Sequence, residues 1–181
     1  EWNMKISIPK IADNEKLPLV IALHWAGDSE TYKEYFDCLI SPALDTLNAI
    51  IISPTCPSIH WIEDSNEKRI INFVKKLIKH WPIDEEKVLL TGYSSGAIGG
   101  WSYLKHNPKL FCAGILISGI YNKEKIKKPL YVIHGKNDEL FDHKDIEMAI
   151  NQSIKKGSNI ELQLLDNKSH YMACTYVKAL R

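Results

Sequence analysis

Apolar residues follow two rhythms along this chain: short, nearly unbroken runs, and longer stretches repeating every three to four positions. Residues 17–23 and 49–53 are almost wholly apolar, which predicts strands covered on both faces, as in a parallel sheet. Residues 4–9 instead alternate apolar with polar and close on Pro9, the pattern of a half-buried edge strand. Further strands are predicted at 87–91, 113–118, 129–134 and 160–165. Ile70, Ile71, Phe73, Val74, Leu77 and Ile78 fall at helical spacing among Lys- and Asn-rich positions. They predict an amphipathic surface helix over 64–80, ended by Trp81 and Pro82. Helical patterns also cover 97–106, 144–156 (stopped by Gly157) and 172–180, and a mixed one over 31–47 is interrupted by Pro42. Strands alternating with helices predict an α/β fold with a mostly parallel central sheet of about seven strands. No repeat, low-complexity tract or linker intervenes, so one domain is expected over 1–181.

Composition adds mainly exclusions. A chain of 181 residues with 45% hydrophobic and 25% charged content is sized for one substantial core, and disorder is excluded. The net charge is +1, and the basic residues at 75–76 and 123–128 alternate with apolar or acidic ones. That reads as solvated surface and not as a nucleic-acid interface. No apolar run reaches membrane-spanning length and no signal peptide is read, so a soluble protein is expected, in the cytoplasm rather than secreted. The first residue is Glu1 and not Met, the expectation being a trimmed or mature form. Cys38, Cys56, Cys112 and Cys174 lie far apart without a C-x-x-C pair, which excludes the common zinc and thioredoxin spacings. Two disulfides and buried thiols both remain open for them.

The chemistry centres on Gly92-Tyr93-Ser94-Ser95-Gly96, a G-x-S-x-G stretch between a predicted strand and a predicted helix. In that setting the turn is sharp, glycine is needed where side chains would collide, and the serine hydroxyl stands over a helix N-terminus. A serine hydroxyl is a weak nucleophile unless a base takes its proton and an acid orients that base. Both should stand at the C-terminal ends of strands. Asp138 follows the strand 129–134, and His170 follows the strand 160–165. Asp142 and Asp145 are rivals for the acid but sit where a helix-capping role is common. Asp166 is nearer its strand end than His170 but cannot act as an imidazole. His60, His80, His106, His134 and His143 are expected to be structural. Developing negative charge would need fixed donors: the backbone N–H of Ser95, and one from the loop 24–28, either Ala26 or Trp25.

Leu23-His24-…-Gly27-Asp28, the Ser94 pentapeptide, His134-Gly135-Lys136-Asn137-Asp138 and Ser169-His170 together resemble the α/β-hydrolase superfamily. Its small phospholipase/carboxylesterase and dienelactone-hydrolase-like branches are the most similar. The resemblance implies an eight-stranded or slightly trimmed sheet, a Ser94–His170–Asp138 triad, and ester hydrolysis without metal or cofactor. The chain departs from the family in carrying Trp25 where His-Gly is usual, and Ser95 where thioesterase relatives have Gln. The short connection 119–128 leaves no room for a lid domain, so an open site for small to medium acyl esters is expected. Trp25, Trp61 and Tyr93 are candidate pocket walls. The functional expectation is a serine carboxylesterase, monomeric or homodimeric, with a small-molecule ester as substrate. Thioesterase or small-peptidase activity is the alternative within enzymes, and a non-catalytic ligand-binding homologue the alternative outside them.

Overall fold

In the strand β2 (Leu17–Leu23), Leu19, Ile21 and Leu23 belong to one apolar core, while Val20 and Ala22 belong to another. The two-residue period of a strand thus divides an unbroken apolar run between both faces of the sheet. The computed structural model describes residues 2–181. The other strands are β1 (Met4–Ser7), β3 (Ile50–Pro54), β4 (Ile83–Tyr93), β5 (Ala113–Ile117), β6 (Leu130–Gly135) and β7 (Ile160–Leu165). They form one seven-stranded sheet in the order β1-β3-β2-β4-β5-β6-β7. Only β1 runs antiparallel, against β3. All seven expected strands are present, and β4 is longer than expected because it starts directly after Pro82.

One face of the sheet is covered by α3 (Asp64–His80), α4 (Ser95–His106) and α5 (His143–Lys155). Helix α3 presents Ile70, Ile71, Val74 and Leu77 to that core, the stripe its spacing predicts. On the other face lie α1 (Thr31–Tyr35), a π-helical turn (Phe36–Ile40) and α2 (Ser41–Leu44). The C-terminal 3₁₀ turn (Ala173–Tyr176) and α6 (Val177–Leu180) pack beside them, with Tyr35, Leu39, Tyr176 and Leu180 buried together. The break expected at Pro42 is displaced. The proline sits in the first turn of α2, where its missing N–H is harmless, and the irregularity is the wide turn before it. Between β5 and β6 no helix is inserted among the described residues, and no lid covers the strand ends.

Cys38 in the π-helical turn is bonded to Cys174 in the 3₁₀ turn, 136 residues away, while Cys56 and Cys112 are free. The four thiols therefore form one disulfide, and it closes most of the chain into a loop. Such a cross-link removes conformations mainly from the unfolded chain, worth about 2–5 kcal/mol. Cys174→Ser, or reduction of the parent protein, should lower the unfolding free energy read from urea titration by that amount and shift the midpoint down, with Cys38→Ser/Cys174→Ser matching the single variant. An unchanged midpoint would contradict a structural role for this pair.

Candidate active site

Strand β4 ends at Tyr93 and α4 begins at Ser95, so a single residue, Ser94, makes the turn between them. Its backbone has φ 52° and ψ −115°, a region unfavourable for an L-residue. Such a conformation costs on the order of 1–3 kcal/mol and persists only where its surroundings over-determine it. The Ser94 N–H donates to Ile117 O at 2.9 Å, fixing the turn to the neighbouring strand. Gly96 fixes the other side, because a Cβ there would stand 1.9 Å from Leu23 O. The start of α4 therefore lies against the end of β2, and the loop carrying Trp25 and Ala26 is brought beside the serine. The N–H groups of the first turn of α4, Ser95 included, have no intrahelical acceptor. The Ser95 hydroxyl accepts the Trp61 N–H at 3.2 Å, so its side chain serves the loop before α3 and not the serine.

Ser94 Oγ lies 2.9 Å from His170 Nε2, and His170 Nδ1 lies 2.9 Å from Asp138 Oδ2. Asp138 Oδ1 also accepts N–H bonds from Leu140 (3.0 Å) and Phe141 (2.8 Å). Burial alone would raise the Asp138 pKa; the hydrogen bonds from the His170 ring and Phe141 N–H outweigh it and hold the carboxyl below its ordinary range. The loops after β6 and β7 meet through backbone bonds from Lys136 N to Leu165 O (2.9 Å) and Asn137 N to Lys168 O (3.0 Å). Gly135 permits that approach, since a Cβ on it would lie 2.2 Å from Lys168 O. The rival acids are occupied elsewhere. Asp142 caps α5 by accepting the Lys144 N–H at 2.8 Å, Asp145 lies in the first turn of α5, and Asp166 pairs with Lys136 at 2.8 Å.

His170 is held by its backbone as well as by its ring. Its N–H donates to Glu139 Oε2 at 2.8 Å, and its carbonyl accepts the Tyr93 hydroxyl at 2.9 Å. The Glu139 carboxyl is held below its usual range, first by that backbone bond. The Phe141 ring meets the imidazole edge-on at 5.1 Å. Glu139 was not foreseen, and its position beside Asp138 is the only sequence signal for it. Tyr93, expected as a pocket wall, does line the cavity, but it is almost wholly buried and its hydroxyl anchors His170. Trp61 corrects the expectation of a second aromatic wall. It is fully buried behind α4, its Nε1–H donating to His24 O at 2.9 Å.

The other buried histidines have structural partners. His24 Nε2 accepts the Cys56 N–H at 3.0 Å, which leaves Nδ1–H to donate to Trp25 O, and His134 Nε2–H donates to Phe141 O at 2.8 Å. Burial is the main influence on both and lowers their pKa values, so both rings are neutral near pH 7.

A cavity of about 320 Å³ opens over Ser94 and His170, walled by Trp25, Ala26, Tyr93, Leu140 and Tyr171, with Glu34 of α1 at its edge. Trp25 is half-buried and stands edge-on to Tyr35 (5.5 Å) and Tyr93 (6.0 Å). A cavity of similar volume, about 330 Å³, lies along α4 near Trp101 and Tyr121 and contains neither Ser94 nor His170. The first of the two is where a hydroxyl, an imidazole and a carboxylate share one hydrogen-bonded line beside free backbone donors. Such a line can move a proton off the hydroxyl while negative charge builds on an adjacent oxygen.

The chain shares 27% identity over 128 residues with a probable chloroplastic glutamyl endopeptidase of Oryza sativa subsp. japonica, covering 50% of this chain and 14% of that protein. The chain thus spans only a small part of that relative's length. Its fold superposes on a thermostable esterase with a TM-score of 0.80 at 19% identity, covering 98% of this chain and 55% of that one. It also superposes on FphF, a fluorophosphonate-binding serine hydrolase of Staphylococcus aureus, with a TM-score of 0.78 at 14% identity, covering 99% and 91%. The family model described as the dienelactone hydrolase family matches residues 54–178, more than half of the chain. The chain therefore belongs to the dienelactone hydrolase family, within the α/β-hydrolase superfamily.

Proposed function

We propose that this hydrolase is a serine carboxylesterase acting on small to medium acyl esters, with its one sheet and flanking helices working as a single catalytic unit. The observation that carries the reading is the continuous contact from Ser94 Oγ through both nitrogens of His170 to Asp138. Ser94 Oγ attacks the ester carbonyl as its proton passes to His170 Nε2. Asp138, ionised across the neutral range, orients the ring and stabilises the imidazolium that forms. The N–H groups of Ser95 and of Ala26 or Trp25 receive the oxyanion of the tetrahedral intermediate. As the intermediate collapses, the C–O bond to the alcohol breaks and the alcohol takes the proton from Nε2, leaving an acyl-serine. Water then attacks the acyl carbon, giving its proton to Nε2; the acid departs and Ser94 regains its hydrogen.

Amide cleavage is the second reading, favoured by the endopeptidase name of the relative aligned over half of this chain. The Ser94 machinery would be the same, with His170 protonating an amine as it leaves. The Cys38–Cys174 disulfide also bears on location, since such bonds persist in oxidising compartments and are rare in the cytosol. It favours an oxidising setting over the cytoplasmic one expected from the sequence.

Hydrolysis of p-nitrophenyl acetate should fall by about 10⁵–10⁶-fold in kcat for Ser94→Ala and for His170→Ala. Turnover by Ser94→Ala equal to that of the parent would remove the assignment. Asp138→Asn should cost about 10³–10⁴-fold, by presenting the wrong imidazole tautomer to Ser94. Asp142→Ala should instead keep its activity and lose about 1 kcal/mol of stability with the α5 cap. The reverse ranking of Asp138 and Asp142 in the same assay would move the acid to position 142.

A further inference from the structure

Among the described residues one carboxylate lines the cavity over Ser94: that of Glu34, on the exposed edge of α1. Its carboxylate joins none of the ion pairs among the described residues. Its sequence neighbour Lys33 is engaged with Glu30, and Lys5 of β1 with Asp37. Among the described residues no lysine or arginine lines the cavity. Lys168, the basic residue closest in sequence to His170, donates to Thr175 O at 3.1 Å and lies over the Tyr176 ring. The remaining wall is aromatic and aliphatic, with Trp25, Tyr93, Tyr171 and Leu140. Tyr171 is 74% exposed, so its ring is open to a ligand.

We propose that Glu34 is a specificity-determining residue that makes this site favour esters bearing a positive charge, an amine or a quaternary ammonium group, over anionic ones. The inference rests on the esterase reading of Ser94 and adds the chemical class of its substrate. An uncompensated carboxylate attracts a cation, and the tryptophan and tyrosine rings lining the same cavity attract the same ligand through their electron-rich faces. An anionic substrate meets the opposite: repulsion from Glu34 and no cation to receive its charge. Because Glu34 is exposed, each effect amounts to only a few-fold, and together they should separate cationic from anionic substrates by about tenfold at low salt. The preference should appear in KM more than in kcat, because Glu34 contacts the charged end of the substrate and not the reacting carbonyl.

Two ester series of matched shape test this. In one the acyl group carries trimethylammonium, tert-butyl or carboxylate at its end, as p-nitrophenyl esters. In the other the alcohol carries those three groups, as in a choline ester and its 3,3-dimethylbutyl isostere. In the series whose charged end reaches Glu34, kcat/KM should run cationic above neutral above anionic, with about tenfold between the extremes. Glu34→Gln should bring the cationic-to-anionic ratio towards one, Glu34→Lys should invert it, and about 0.5 M salt should shrink it in the parent. A ratio at or below one in both series, or a ratio unchanged in Glu34→Gln, would overturn the role of Glu34. In either case, continued cleavage of the neutral ester leaves the esterase reading standing. Absence of turnover on all six esters would instead remove that reading, and this inference with it.

Discussion

The close approach of α4 to the end of β2 is the constraint on which the rest of this structure depends. Gly96 brings the helix start against the Leu23 carbonyl, and the price of that geometry is a serine held at positive φ. The contact is backbone against backbone, so no side chain can be placed at 96 without moving the helix. From it follow the exposure of Ser94 Oγ, the unpaired N–H of Ser95 and the nearness of the Trp25–Ala26 loop. Strain of this kind is retained where a function is served, and here it sets a hydroxyl at the rim of an otherwise regular sheet.

A second junction complements the first. The loops after β6 and β7 are tied by backbone bonds across Gly135, and Asp138 and His170 grow from those two loops. Relative placement of the Asp138 carboxylate and the His170 ring is therefore a property of the sheet order and not of flexible side chains. Glu139 and Tyr93 then grip the main chain of His170 on either side, and Phe141 packs against its ring. The Cys38–Cys174 bond fastens the next turn to the helices beneath the second face. Imidazole rotation is thus restricted from the ring, the backbone and the following segment together.

Much of this was legible in the residues because it rests on local pattern. Seven apolar runs gave seven strands, and a strand-flanked G-x-S-x-G marks a turn that few other sequences can form. Asp138 and His170 were singled out by position alone, since strand ends in a parallel sheet converge on one edge, and the fold brings both side chains into line with Ser94. Contacts that join distant segments were not legible. Nothing in the spacing of Cys38 and Cys174 announces their pairing, and Trp61 reads equally well as wall or core until the packing of α4 is known. In this fold Gly99 approaches the Trp61 side chain, the indole N–H finds the His24 carbonyl, and the ring is buried. Tyr93 illustrates the intermediate case: it is at the cavity, as expected, but its hydroxyl is spent on positioning His170.

The central claim is that Ser94, and not its neighbour Ser95, is activated by His170. Reaction with a fluorophosphonate followed by peptide mass mapping tests it most directly, because phosphonylation needs an activated nucleophile and reports the atom that attacked. One adduct per chain on Ser94, absent from His170→Ala, is the predicted result. An adduct on Ser95, or labelling that survives loss of His170, would contradict it.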